Sequence, residues 1–467
     1  MGGARAQETQ AMTVGIETAA QPEQTAPAKA PSFSEATRVW AKIGFLSFGG
    51  PAGQIALMHK ELVDERRWIS EGRFMHALNF CMLLPGPEAQ QLATYIGWLM
   101  HGWRGGVVAG TLFVLPGFLV MLGLSTAYAL WGRTDWLGSL FFGLKAAVLA
   151  IVIEAVIRIG KRSLKTNAMR AIALAAFLAL FLLNAPFPLV ILLAGIAGYA
   201  LFRAGAKTPS IRHGATAEVQ DNLRTDHRAS PKSAFGAVIL WGALWALPFP
   251  LIWLAGNPGQ YTEIGSFFSK MAVVTFGGAY AVLSYVAQQA VDHYHWLRPG
   301  EMLDGLALAE TTPGPLVLVL TFTGFMAAYR NPGGLPPLAG GITGAILTTW
   351  ITFVPCFLWI FLGAPWIEKL RENKLLASAL AAISAAVTGV ILNLAIWFAL
   401  HVLFSRVDTV RAGPFAVASP DWVTIDPSAL VLTLVSAVLL FRLKAGTFAT
   451  LAICGAAGMA LKYSGLA

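Results

Sequence analysis

Residues 42–87, KIGFLSFGGPAGQIALMHKELVDERRWISEGRFMHALNFCMLLPGP, decide how this chain is read, because the stretch occurs twice. Laid over residues 270–315 at a constant offset of 228, without a gap, it matches at 12 of 46 positions. Lys42 falls on Lys270, Phe48-Gly49-Gly50 on Phe276-Gly277-Gly278, and Val63-Asp64 on Val291-Asp292. Trp68 falls on Trp296, Gly72 on Gly300, Leu78 on Leu306, and Pro85-Gly86-Pro87 on Pro313-Gly314-Pro315. Glycine and proline in register mark constraints on the backbone, which chance does not align. A proline inside an apolar run recurs further on, as Pro116 and Pro355. The chain is an internal duplication.

Around this repeat, 56% of the 467 residues are apolar and only 12% are charged, about half the ~25% charged share of a soluble domain. The three cysteines, Cys81, Cys356 and Cys454, lie far apart in apolar runs, which excludes a disulfide scaffold or a CxxC site. The expected fold class is an all-α polytopic membrane protein. Residues 1–33 read as a disordered cytoplasmic tail without a cleavable signal peptide. Residues 34–203 read as a first repeat, 204–233 as a basic cytoplasmic linker, 234–256 as a linking transmembrane helix, and 257–467 as a second repeat.

Nine apolar segments approach the ~20 residues that a membrane helix needs. They are 106–131, 137–160, 168–184, 187–202, 234–255, 338–363, 375–401, 429–441 and 447–461. Four more, 36–61, 74–99, 265–291 and 302–328, are cut by the repeated Gly and Pro motifs. Their pieces reach only part of the way across, so they read as broken helices or re-entrant hairpins; thirteen full spans is the alternative.

Charge gives the orientation. Lys60, Arg66, Arg67 and Arg73 crowd a loop of the first copy, and its counterpart carries only Arg298. The positive-inside bias puts the first loop in the cytoplasm and the second outside, making the repeats inverted.

Inverted repeats with interrupted helices at matching positions point to a transport site near the midplane. A break frees backbone N–H groups at the start of the following half-helix, where about half a positive charge favours an anion. The expected binding residues are Lys42, Phe48, Gly49, Gly50, Pro51, Gln54, Pro85, Gly86 and Pro87, with Lys270, Phe276, Gly277, Gly278, Pro313, Gly314 and Pro315 from the second copy. Lys42 and Lys270 either meet a dianion or snorkel to opposite surfaces. Lys145 is a path candidate, and Glu154 and Arg158 at i, i+4 form a pair. Glu88, Glu310, and the equivalent pair His76 and Asp304 are candidates to carry protons. His293 and His295 give a weak metal signal, so no metal or cofactor is expected. The net charge of +9 is explained by cytoplasmic loops and implies no nucleic acid.

The segments Phe45-Leu46-Ser47-Phe48-Gly49-Gly50-Pro51, Trp68-Ile69-Ser70-Glu71 and Leu84-Pro85-Gly86-Pro87 resemble the chromate ion transporter family, as do Phe276-Gly277-Gly278 and Thr312-Pro313-Gly314-Pro315. The resemblance covers about residues 33–467 and is to the family's long, two-repeat members. It implies proton-coupled efflux of chromate across a bacterial inner membrane, hence chromate resistance. Leu316 stands where the first copy has Glu88, which argues against a mechanism needing two equivalent acids. The residues themselves give an anion rather than chromate, so a sulfate or molybdate carrier stays open. From other classes, a passive anion channel and an intramembrane enzyme are the competitors, the latter without a catalytic constellation. Expected partners are the dianion, protons, the lipid bilayer and, as a homodimer, a second copy.

Overall fold

The computed structural model describes residues 31–132, 134–205, 231–256, 259–276, 279–364, 374–413 and 415–465. The expectations for the tail, for most of the basic linker and for Gly277 and Gly278 lie outside these residues.

Nearly everything described is helical. The first copy runs α1 (Phe33–Leu46), α2 (Gly50–His59), α3 (Glu71–Cys81), α4 (Glu88–Trp131), α5 (Asp135–Ser163), α6 (Asn167–Leu183) and α7 (Phe187–Arg203). A join follows, α8 (Pro231–Ala246) and α9 (Pro248–Leu254). The second copy begins with α10 (Gln260–Val274), α11 (Ala279–Gln288), α12 (Glu301–Thr311), α13 (Val319–Arg330) and α14 (Pro337–Gly363). It ends with α15 (Lys374–Leu403), α16 (Pro427–Ala437) and α17 (Gly446–Tyr463). Among the described residues, five helical stretches are long and apolar enough to cross a membrane: Glu88–Trp131, Asp135–Ser163, Ala234–Leu254, Pro337–Gly363 and Lys374–Leu403.

The helices start and stop for local reasons. Ser32 accepts a bond from Glu35 N–H before α1, Thr166 does the same for Met169 before α6, and Asp426 for Ala429 before α16. The breaks fall at the Gly and Pro motifs, as the sequence predicts, in all four interrupted segments.

α4 is bent back on itself at His101 and Gly102, where the dihedrals leave the helical region. Its two limbs pack so closely that a Cβ on Gly97 would lie 2.4 Å from Gly105 O. The second copy makes the same hairpin from α13 and α14, where a Cβ on Gly344 would lie 2.3 Å from Gly324 O. Small residues let membrane helices approach backbone to backbone, where apolar burial offers little drive.

The copies agree in fine detail. Both α2 and α11 run into a π-helical turn, Lys60–Glu65 and Gln289–His293. Each turn is followed by a residue in the left-handed region at equivalent positions, Arg67 at φ 53° and His295 at φ 54°. Phe48 N–H bonds Leu46 O at 2.9 Å, and Phe276 N–H bonds Val274 O at 3.0 Å.

The copies are also intertwined. α5 of the first packs on α16 and α17 of the second, and α15 of the second packs on α6 and α7 of the first. Glycines allow these crossings: a Cβ on Gly143 would lie 1.9 Å from Cys454 O, and one on Gly389 would lie 2.1 Å from Ala173 O. Ser378 Oγ donates to Gly198 O at 2.8 Å across the α7–α15 contact.

α8 and α9 lie on the outside, with none of their apolar window buried. They touch α14 through Trp241, stacked on Phe357 at 4.9 Å, and through Trp350 Nε1, which donates to Leu244 O at 2.7 Å. One element has no forerunner in the sequence reading: an antiparallel hairpin, β1 (Val407–Ala412) with β2 (Phe415–Pro420), between α15 and α16.

Candidate functional site

The broken motifs of the two copies meet. Gly86 N–H donates to Thr275 O at 2.8 Å, and Gly314 N–H donates to Ser47 O at 2.8 Å. Gly86 is equivalent to Gly314 and Ser47 to Thr275, so each copy gives the other the same bond. This is the signature of an isologous contact. Gly86 and Gly314 hold φ at 118° and 88°, a region closed to other L-residues without strain. Ser47 Oγ donates to Ile43 O at 2.7 Å and Thr275 Oγ1 to Met271 O at 2.5 Å. Ser47 and Thr275 are the C-caps of α1 and α10, so their main-chain oxygens have no helical donor and accept from the glycines.

Around these crossings the half-helix starts carry no side-chain cap at α2, at α4, or at the 3₁₀ turn Leu316–Leu318 that precedes α13. Gln54 is buried beside them, its Nε2 donating to Gly314 O at 2.5 Å. Gln90 and Gln91, in the first turn of α4, are fully buried, and Gln91 Nε2 donates to Pro85 O at 2.6 Å. The side-chain oxygens of Gln54, Gln90 and Gln91 have no donor among the described residues. A small crevice opens beside the Gly86 crossing, lined by Gly86, Pro87, Thr275, Val317 and Thr352. Of the other expected binding residues, Pro313, Gly314 and Pro315 are buried, Pro51, Pro85 and Phe276 are half-buried, and Phe48 packs edge-on against Phe448 at 5.4 Å.

The charged groups fall into separate pairs. Lys145 on α5 and Asp304 on α12 were singled out independently, and they meet at 3.3 Å. Tyr128 OH donates to the second oxygen of Asp304 at 2.8 Å, so a buried carboxylate of the second copy is held by two groups of the first. Glu310 is buried and accepts from Tyr280 OH at 2.6 Å. Lys42 is half-exposed and pairs with the buried Glu61 at 2.5 Å, which Arg66 also approaches at 3.2 Å. Lys270 is exposed, and no contact joins it to Lys42 among the described residues. Glu88 and His76 are half-buried, on α4 and α3. Glu154 and Arg158 pair at 3.5 Å.

Sequence reasoning missed Glu61, Tyr128, Tyr280, Gln90 and Gln91. Two of these carried a usable signal: Gln90 and Gln91 directly follow a broken motif inside an apolar run, where amides are expensive unless used. It also missed Arg330, whose guanidinium grips both oxygens of Glu301 at 2.7 and 2.8 Å and donates to Trp296 O at 2.6 Å.

Comparison with known proteins decides the family. The model of the chromate transporter family matches residues 34–199 and 262–459, a segment from each copy. The chain belongs to the chromate transporter family. Its members are transporters and not enzymes. The transporter is 35% identical over 364 residues to a chromate transport protein of Pseudomonas aeruginosa, covering 75% of this chain and 77% of that one. It is 29% identical to a chromate transport protein of Cupriavidus metallidurans, covering 80% and 84%. An uncharacterized transporter of Methanocaldococcus jannaschii is 26% identical, with 78% and 84% covered. No solved structure matches the transporter.

Proposed function

We propose that this protein exports chromate across a bacterial inner membrane in a proton-coupled cycle and so confers chromate resistance. The observation that carries this reading is the pair of reciprocal backbone bonds at Gly86 and Gly314, made where two broken helices of each copy meet. Uncapped half-helix starts around that point offer N–H donors to an anion's oxygens without a fixed positive side chain that would hold it too tightly to leave. The chromate transport proteins among the relatives supply the substrate.

In this reading the copies are inverted, related by a two-fold axis in the membrane plane, and the anion sits between the Phe48-Gly49-Gly50-Pro51 and Pro85-Gly86-Pro87 breaks and their counterparts. Rocking of one interlocked bundle against the other opens the site to each face in turn. Asp304, held by Lys145 and Tyr128, and Glu310, held by Tyr280, are the proton carriers, with Glu88 at the mouth of α4. Exchange requires that these acids give up their protons when the anion is bound and take them again when it has left.

The test is chromate uptake by everted membrane vesicles, with and without an imposed pH gradient and with excess sulfate as competitor. Gradient-dependent uptake is expected. Uptake that follows membrane potential alone would replace the exchanger by a channel. No uptake by inserted, folded protein would remove chromate as the substrate.

A further inference from the structure

The two crossings share their backbone bonds but not their side-chain support. Gly314 is held at both of the peptide groups that flank its Cα, because its N–H donates to Ser47 O and its carbonyl accepts from Gln54 Nε2 at 2.5 Å. Gln54 is 1% exposed, and Nε2 also lies 3.5 Å from Ser47 O, so one side chain of the first copy ties together both strands of that crossing. A backbone carbonyl only accepts, so the amide must present its NH₂ to Gly314 and cannot flip. At the equivalent position, 228 residues on, stands Val282, fully buried and without a hydrogen-bonding group. At the Gly86 crossing Gln91 Nε2 donates to Pro85 O at 2.6 Å, but both residues belong to the first copy, so among the described residues the hydrogen bond that joins the copies there is Gly86 N–H to Thr275 O, with no side chain bridging them as Gln54 does. The crevice opens at that weaker crossing, with Gly86, Pro87 and Thr275 in its wall.

We propose that Gln54 is a latch that keeps the Gly314 crossing closed, so that the Gly86–Thr275 crossing is the one that parts first to admit the anion. The idea rests on the transporter reading, and it assigns Gln54 a positioning role in place of direct contact with the substrate. It also gives the duplicated molecule a direction: two equivalent gates become unequal through one glutamine-for-valine difference.

Native chemistry provides the probe. Cys356 borders the Gly86 crossing, since a Cβ placed on Gly86 would lie 2.9 Å from its Sγ. Leu318 borders the other, with Cδ1 3.0 Å from a Cβ placed on Gly314. In full-length protein in vesicles without substrate, alkylation by N-ethylmaleimide is followed by mass spectrometry at Cys356 and at Leu318→Cys. In the unaltered background Cys356 is expected to react faster than Leu318→Cys. Adding Gln54→Met should raise the rate at Leu318→Cys about tenfold, of the order one lost net hydrogen bond supplies, and leave Cys356 unchanged. Val282→Gln should slow Cys356 by a similar factor. If that variant fails to insert, the two rates in Gln54→Met decide alone. Equal acceleration at both sites would make Gln54 a general packing residue, and no change at either would remove the latch; both overturn the proposal. These rates are read without chromate, so a failure of chromate transport would strike the substrate assignment and not the latch.

Discussion

The two copies have one backbone plan and two different chemistries. Where the first copy starts its half-helices with Gln54, Glu88, Gln90 and Gln91, the second has Val282, Leu316, Leu318 and Val319. Conversely, the second copy buries Asp304 and Glu310 where the first has His76 and Met82. The π-helical turns, left-handed residues and glycine crossings all survive in both. Geometry is kept twice because the interface needs each copy to complete the other. The three buried amides at these starts belong to the first copy, whereas Asp304 and Glu310 belong to the second.

The sharpest way to break this comparison is topological. Single cysteines in place of Arg67 and Arg298 should be labelled by an impermeant thiol reagent from opposite sides of the membrane, an all-or-none result. Labelling from one side would make the copies parallel. Next in size is Asp304→Ala, which strands Lys145 and unbonds Tyr128. Losing one partner of a buried pair costs about 3–5 kcal/mol, and because Lys145 is 29% exposed the lower end is expected, read as a large drop in thermal unfolding temperature in detergent.

Smaller again are Gly86→Ala and Gly314→Ala. Each forces a side chain into left-handed backbone, at about 1–3 kcal/mol, with Cys356 or Leu318 in the way. Vesicle transport should fall more than the amount of folded protein. Equal losses would reduce these glycines to packing. The smallest effect is expected from the lysines. Lys42→Gln, which leaves Arg66 beside Glu61, and Lys270→Gln should each raise the half-saturating chromate concentration a few-fold, and unchanged values would mean that both lysines serve only the membrane surface.

The breaks were legible because they are backbone events written in Gly and Pro. The 228-residue register from Lys42 to Pro87 located every interrupted helix to within a few residues. Pairings were less legible, since Lys145–Asp304 joins residues far apart in the chain whose meeting depends on how α5 crosses α12. The turn of α4 at His101-Gly102 was legible as well, since the apolar segments 74–99 and 106–131 leave it between them. Glu61 was invisible for another reason: a carboxylate near the end of an apolar run looks like a surface residue until Lys42 and Arg66 are seen to converge on it.

The interlocking of α5 with α16 and α17, and of α15 with α6 and α7, bears on how the molecule is made. The first copy leaves the ribosome with its partners unsynthesised, and the groove beside Gly143 stays empty until Cys454 and Gly458 follow, about 310 residues later. During that interval α5 to α7 must wait in the bilayer half-assembled, exposed to quality-control proteases. The α8–α9 join packs on α14 and takes no part in the interlocking, so the copies need synthesis in the same membrane more than they need a peptide bond between them. Two separately translated halves, divided ahead of α8, should therefore find each other and assemble, whereas either half made alone should be degraded.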